Sequence, residues 1–213
     1  GLVIVVAADC TGHGVPGALM SIIGSYGLNR LVSEMNLTSP SEILNQINFL
    51  FEESLDQEKG VEIFDGMDIA LCSYNPKTRE LNYAGANFPL YILRENSLPQ
   101  PASAIASKGE THSLYKVRPN KQPIGSYFDK VSFINHSIML LENDIIYLFS
   151  DGFPDQFGGP DGRKFRSLQL FKMLCSFSDI PLMEQKEILE DTFNKWKGRR
   201  KQIDDVSFIG IKI

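Results

Sequence analysis

The stretch AADCTGHGVPGALM, residues 7–20, combines three features that decide the fold of this chain. An apolar, β-branched run at residues 2–8 leads into Asp9, which predicts a buried strand with an acid at its end. A glycine-rich turn follows, and from Pro16 onward apolar residues recur at helical spacing. The turn therefore either cradles the phosphates of a nucleotide or aims the carboxylate of Asp9 at a metal ion.

Length, charge and cysteine content narrow the range of functions. The 213 residues, 43% of them hydrophobic, suffice for one substantial core, and we expect a single domain over residues 1–213. A net charge of -5 argues against nucleic acid as the main partner, because phosphate backbones favour basic faces. No apolar run approaches the roughly 20 residues of a membrane span, so we expect no membrane contact by this domain. Three cysteines without CxxC spacing are typical of a reducing compartment, and we predict a cytoplasmic location.

The patterns along the chain predict an α+β fold with helices covering largely antiparallel sheets. The predicted elements are helices at 16–35 and 41–51, strands at 67–74, 80–84 and 89–94, helices at 166–177 and 183–196, and a strand at 206–213. Residues 95–115 show little periodicity and are expected to form an exposed excursion. Residues 131–141 and 145–149 are predicted to pair as a hairpin, and Asn87 is predicted to lie in a turn between two strands.

Aspartates stand beside the most apolar predicted strands. Asp9 ends the first strand, Asp151 ends a later one and is followed by Gly152, and the pair Asp204 and Asp205 precedes the last strand. If the last strand is antiparallel to the other two, these acids lie at one edge of the sheet, where their mutual repulsion favours a cation. Clustered carboxylates suit Mg²⁺ or Mn²⁺, and two such ions can activate a water and hold a phosphoryl group. Taken singly, an aspartate after a strand is most often a turn former or a helix N-cap.

Residues 12–17 match the GxGxxG pattern of dinucleotide-binding proteins, which is the rival interpretation of the turn. Such a unit needs a second, parallel strand after the helix, ending in an acid that binds the ribose. Here a second helix follows, and Glu34, which lies near the expected distance, falls at the end of the first helix. We therefore favour glycines that let the backbone turn beside a metal ion, with Pro16 in the first helical turn and no residues for an organic cofactor.

Five segments resemble the SpoIIE-type branch of the metal-dependent (PPM, or protein phosphatase 2C) serine/threonine phosphatases, in that family's order. They are DCTGHGVPGALMS at 9–21, DGMDIALCSYNP at 65–76, AGANFPLYILR at 84–94, LFSDGFPDQFGG at 148–159 and IDDVSFIGIKI at 203–213. The resemblance spans essentially the whole chain and implies an αββα four-layer sandwich with a two-metal centre of Mn²⁺ or Mg²⁺. It also implies hydrolysis of phosphoserine or phosphothreonine by a metal-activated water, without a phospho-enzyme.

The same resemblance assigns metal ligands by position. Asp9 would bridge both ions, and the main-chain carbonyl of Cys10 would reach one of them. Asp151 and Asp204 would complete the shell of the other ion.

Further residues are expected beside these ligands. Gly152 and Asp205 would support the ligands without contacting metal, and Asp205 stands where relatives in the wider family have Asn. His13 is the candidate general acid for the leaving seryl oxygen, as proposed for the histidine of this turn in the wider family, or else a partly exposed turn residue. Asp65 and Asp68 either close a turn or bind metal directly.

The resemblance also implies partners. Domains of this type act downstream of sensory modules on phosphorylated proteins of the anti-sigma-factor antagonist type, so we expect an N-terminal sensor and a bacterial regulatory substrate. Because the family supplies another metal-binding Asp from an upstream strand, we expect a fragment truncated at its N-terminus, from a longer protein that can be tethered to a membrane. Residues 17–35 are candidates for a homodimer contact, although core packing explains them equally well. The alternative function is a catalytically silent regulatory domain with the same fold.

Overall fold

The computed structural model describes residues 1–10, 15–55, 66–101, 104–125 and 131–213. The strands are β1 (Val3–Cys10), β2 (Gly66–Asn75), β3 (Glu80–Ala86), β4 (Leu90–Glu95), β5 (Ala104–Lys108), β6 (His112–Val117), β7 (Ile124–Gly125), β8 (His136–Met139), β9 (Ile145–Phe149), β10 (Phe157–Gly158), β11 (Arg163–Lys164) and β12 (Phe208–Lys212). The helices are α1 (Val15–Asn29), α2 (Pro40–Leu55), α3 (Gly152–Asp155), α4 (Ser167–Cys175) and α5 (Leu182–Lys197). A π-helical turn, Arg30–Glu34, continues α1. Over these ranges, none of the helices combines the length and the hydropathy needed to cross a bilayer.

The first compact unit comprises Gly1–Leu90 and Arg118–Leu140. Its sheet has the order β1-β2-β3-β8 with antiparallel neighbours, and β7 pairs with one end of β2. Helix α2 buries one face, with Ile43, Ile47 and Phe51 at helical spacing and without exposed surface, in the same core cluster as residues of β2. The sheet is antiparallel from its first pair, because β2 runs back along the full length of β1. This pairing differs from the parallel βαβ unit of a dinucleotide-binding fold.

The second compact unit comprises Tyr91–Val117 and Leu141–Ile213. Its sheet has the order β12-β9-β4-β6-β5, and every residue of β9 is buried. An aromatic stack runs across three adjacent strands, with ring centroids 4.6 Å apart for Tyr91 and Phe149 and 4.9 Å apart for Phe149 and Phe208. Helices α4 and α5 supply Leu170, Leu174, Leu189 and Phe193 to the same core cluster. The predicted α+β class, with largely antiparallel sheets flanked by helices, is confirmed.

The hairpin predicted from residues 131–141 and 145–149 is wrong. Strand β8 pairs with β3 in the first unit, whereas β9 lies between β12 and β4 in the second. The intervening Asp144 is not an exposed turn residue, because its carboxylate is buried and binds the guanidinium of Arg94.

The excursion expected at residues 95–115 also differs from the structure, which places β5 and most of β6 there. These strands pair with each other as an antiparallel hairpin. Strand β5 is at the edge of the sheet, and none of its residues is fully buried. Its sequence therefore lacks the alternation of apolar and polar residues from which a half-buried strand is predicted.

Candidate active site

In the first unit, two aspartates face each other across neighbouring strands. The register of β1 and β2 sets Asp9 opposite Asp68 and Cys10 opposite Met67. Residues directly opposite in an antiparallel pair share a face of the sheet, with Cβ atoms about 5 Å apart. Two like charges at that separation repel each other, which favours a cation beside them. Asp9 is the second-to-last residue of β1, whereas the sequence pattern predicted that it would be the last.

Asn87 orients the Asp68 carboxylate. Its Nδ2 donates a hydrogen bond to Oδ1 of Asp68 at 2.9 Å, and its backbone N–H donates to the carbonyl of Asn120 at 2.9 Å. The φ angle of Asn87 is 54°, in the left-handed region that asparagine adopts more readily than most side chains. The contact joins residues 19 apart, so the sequence pattern carries no signal for it.

In the second unit, strand pairing brings two of the predicted ligands together. Strands β12 and β9 are antiparallel, with Phe208 opposite Phe149. The segment before β12, which contains Asp204, therefore returns to the end of β9 that Asp151 follows. The predicted antiparallel direction of the last strand holds for β9, while β1 belongs to the sheet of the first unit.

Ser150 and Gly152 hold the segment that contains Asp204 and Asp205 next to Asp151. The hydroxyl of Ser150, which is buried, donates to the carbonyl of Asp205 at 3.0 Å and accepts from the N–H of Ser207 at 3.0 Å. A Cβ atom at Gly152 would overlap the carbonyl oxygen of Asp205, so only glycine fits this close approach. The backbone on both sides of Asp151 is thus held against the segment that carries Asp204.

The Asp151 carboxyl lies among other acids. Partial withdrawal of this carboxyl from water raises its pKa, although the residue as a whole is exposed, and the carboxylates of Asp204 and Asp155 raise the pKa further. Lys164 lowers it and forms an ion pair with Asp155 at 2.8 Å. Asp151 and Asp204 are therefore within electrostatic reach of each other.

The remaining predicted residues are distributed as follows. The structure places Asp9 and Cys10 in the first unit, and Asp151, Gly152, Asp204 and Asp205 in the second. The Cys10 thiol is half-buried and accepts a hydrogen bond from Ser21 Oγ at 3.4 Å. The backbone N–H of Asp205 donates to Oδ1 of Asp204 at 2.8 Å. His13 and Asp65 lie outside the described residues.

The donor set fits a hard divalent cation. Each unit presents a pair of neighbouring carboxylates, Asp9 with Asp68 and Asp151 with Asp204, and carboxylate oxygens are the preferred ligands of Mg²⁺ and Mn²⁺. A cation beside either pair would offset the repulsion between its members. Within the ranges that the structure describes, no group of three or more His, Cys, Asp and Glu side chains is arranged to hold a metal ion.

Comparisons with known proteins identify the fold and the family. The family model of Stage II sporulation protein E (SpoIIE) matches residues 1–213. The SiaA-PP2C domain of Pseudomonas aeruginosa is similar over 99% of this chain and 75% of that one, with 25% sequence identity and a TM-score of 0.79. A search of curated proteins found no match.

Two further solved structures share the fold at lower identity. The PP2C phosphatase domain of SpoIIE from Bacillus subtilis, solved with a fragment of its regulatory domain, is 14% identical with a TM-score of 0.69. The similarity covers all of this chain and about half of that one, 55%. RsbX in complex with magnesium is 15% identical with a TM-score of 0.57, over 98% of this chain and 80% of that one. The chain therefore belongs to the Stage II sporulation protein E (SpoIIE) family of PP2C-type serine/threonine phosphatases.

Proposed function

We propose that this domain hydrolyses phosphoserine or phosphothreonine on a bacterial regulatory protein, with Mn²⁺ or Mg²⁺ held by Asp9, the main-chain carbonyl of Cys10, Asp151 and Asp204. The observation that carries the proposal is the approach of Asp204 to Asp151 at one end of the β9–β12 pair, in a chain that matches the SpoIIE family model throughout. When bound, two such cations supply activation of a water molecule and neutralisation of the charge on the phosphoryl group.

The residues of the chain position the carboxylates that would bind the ions, and one of them would donate a proton. Asp9 is part of a regular strand, so its backbone is held by the pairing with β2. Ser150 and Gly152 keep the Asp204 segment against Asp151, which presents two carboxylates together before any ion binds. His13 is our candidate for the general acid that donates a proton to the leaving seryl oxygen.

The partners follow from the family and from the similar structures. One of these structures contains a regulatory domain fragment and another contains magnesium, and we extend both features to this protein. We infer a sensory or regulatory module in the longer protein, a cytoplasmic location for this domain and a phosphorylated substrate of the anti-sigma-factor antagonist type. Homodimerisation through residues 17–35 is part of the same proposal.

The proposal is tested by metal titration of the full-length protein. Calorimetry with Mn²⁺ should show saturable binding of about two ions, and phosphate release from a phosphoserine peptide should require Mn²⁺ or Mg²⁺ and stop with EDTA. Saturable binding without hydrolysis of any phosphopeptide would favour the silent regulatory domain. Absence of metal binding would contradict the metal centre itself.

Asn87→Gly is expected to weaken Mn²⁺ binding about tenfold, because it removes the amide that orients the Asp68 carboxylate opposite Asp9. Glycine accepts the φ angle of 54°, so the free energy of unfolding should change by less than about 1 kcal/mol. Calorimetric titration measures the affinity, and urea denaturation measures the stability.

Asn143→Gly is the matched control, because Asn143 also has a left-handed backbone, with φ of 69°, but lies in the second unit before β9. It should leave Mn²⁺ affinity unchanged. Equal affinities for the two variants would show that the amide of Asn87 does not influence the metal centre.

A further inference from the structure

The second unit carries a concentration of positive charge that the metal centre does not use. Eight of the 21 Lys and Arg residues fall in two short segments without an acidic residue, 162–166 and 195–201, although the whole chain has a net charge of -5. We call their exposed side chains the basic surface: Arg163, Lys164, Arg166, Lys195, Arg199, Arg200 and Lys201. Among the described residues, ion pairs of this surface are confined to Lys164 with Asp155 and Lys195 with Asp191.

Hydrogen bonds join the two segments into one surface. The N–H of Gly159, in the β10–β11 hairpin, donates to the carbonyl of Trp196 at 2.9 Å. The indole Nε1 of Trp196 donates to the carbonyl of Gln156 at 3.0 Å, and Nε2 of Gln156 donates to the carbonyl of Lys201 at 3.1 Å. Because Gln156 is fully buried, it fixes the hairpin against the segment that follows α5.

A side chain of the second segment also contacts the hairpin. The guanidinium of Arg200 lies against Gly162, where a Cβ atom would be 2.8 Å from its Nη2. Arg163 is the next residue along the chain after that glycine, and both arginines are exposed. Neither makes an ion pair within the part of the chain that the structure describes.

The basic surface borders the proposed metal ligands within the same unit. Lys164 pairs with Asp155 at 2.8 Å, and the N–H of Asp155 donates to the carbonyl of Asp151 at 2.9 Å. On the other segment, Lys201 precedes Asp204 by three residues. The basic surface is therefore connected to Asp151 through the Lys164–Asp155 ion pair, and it is close to Asp204 along the chain through Lys201.

We propose that the basic surface binds acidic side chains that flank the phosphorylated residue of the protein substrate. The inference rests on the proposed phosphatase function, which requires a substrate that carries about two negative charges on its phosphate. Guanidinium groups pair bidentately with carboxylates and phosphates, and clustered positive charge speeds the encounter with an acidic partner. Because the rest of the chain is acidic, it would repel such a partner and direct it to this surface.

Peptide binding in EDTA tests the surface without any catalysis. The probes are a labelled phosphoserine peptide flanked by glutamates and the same peptide with glutamines in their place, measured by fluorescence anisotropy on the full-length protein. Arg163→Gln with Arg200→Gln should weaken binding of the glutamate peptide about five- to tenfold and leave the glutamine peptide nearly unchanged. Lys108→Gln with Lys172→Gln removes the same charge from exposed positions elsewhere in the unit and should change neither.

Hydrolysis provides the second measurement. With Mn²⁺ present, the arginine double variant should raise KM for the glutamate peptide by the same factor, while kcat/KM for p-nitrophenyl phosphate stays at the wild-type value. If the double variant does not fold, Arg199→Gln at an exposed position tests the same surface, with an expected loss of about two- to threefold.

Equal affinity of the wild-type protein for the two peptides would overturn the proposal, as would an unchanged affinity in the arginine variants. Tighter binding of a single-stranded DNA oligonucleotide than of the glutamate peptide would overturn it too, because the surface would then serve nucleic acid. Selective binding of the glutamate peptide without any hydrolysis would leave this inference standing and contradict only the phosphatase function.

Discussion

Asp144→Ala should lower the free energy of unfolding by about 3–5 kcal/mol, because it leaves the buried guanidinium of Arg94 without its counter-ion. The side chains are 1% and 3% exposed, so water does not replace the lost carboxylate. Nε of Arg94 donates to Oδ1 of Asp144 at 2.9 Å, and Nη2 donates to Oδ2. A charged group left unpaired in such surroundings costs far more than an exposed ion pair contributes.

The same pair fixes several parts of the second unit. Nη1 of Arg94 donates to the carbonyl of Pro99 at 2.7 Å, and Oδ2 of Asp144 accepts from the N–H of Leu141 at 2.8 Å. The N–H of Ile213 donates to the carbonyl of Asp144 at 2.9 Å. Loss of the carboxylate therefore loosens the loop after β4 and the turn before β9 together.

Urea denaturation of the wild type and the variants measures the effect. Asp191→Ala is the control, since it breaks the exposed pair with Lys195 and should cost less than about 1 kcal/mol. Arg94→Met combined with Asp144→Leu should be more stable than Asp144→Ala alone, because no buried charge remains. A loss below about 1 kcal/mol for Asp144→Ala would show that the buried charge is compensated by other groups.

Asp151→Asn is expected to reduce metal-dependent hydrolysis of a phosphopeptide at least about 100-fold in kcat. The amide keeps the shape of the side chain but removes the negative charge that faces Asp204 and that a divalent ion requires. Mn²⁺ should also raise the melting temperature of the wild type and have much less effect on the variant, because only an ion that binds the native state stabilises it. Without metal, both should melt at similar temperatures.

The full-length protein is the material for this experiment, with Asp179→Asn as the control at another surface acid of the same unit. The control should retain wild-type hydrolysis. Asp151→Asn with Asp204→Asn should be little worse than either single variant, since residues that serve one ion are not additive. Unchanged hydrolysis in Asp151→Asn would remove Asp151 from the set of ligands.

Several elements were predictable because their signal is local. Strand β9 is a run of large apolar residues, all of them buried, and α5 has its apolar residues at helical spacing, with Leu189 and Phe193 in the core. The predicted helix at 183–196 differs from α5 by one residue at each end. Such patterns come from the burial of one face or of both faces and need no knowledge of distant partners.

The amide of Asn87 was not predictable as part of the site. The sequence predicts a turn residue at this asparagine between two strands, and its positive φ angle agrees with a turn. Its contact with Asp68 depends on how β2 and the segment after β3 come together, which no local pattern records. The same holds for Arg94 and Asp144, whose hydrogen bonds join residues 50 apart.

The sequence by itself determined the longer helices and most of the apolar strands, the α+β class and the acids that accompany those strands, because hydrophobic periodicity and short motifs are local properties of the chain. Only the tertiary structure decided that β8 and β9 belong to different sheets, that Asp68 faces Asp9, and that Arg200 lies against Gly162. The physical reason is that strand pairing and side-chain contacts are selected by long-range packing and by the pairing of buried charges, whose partners lie tens of residues away.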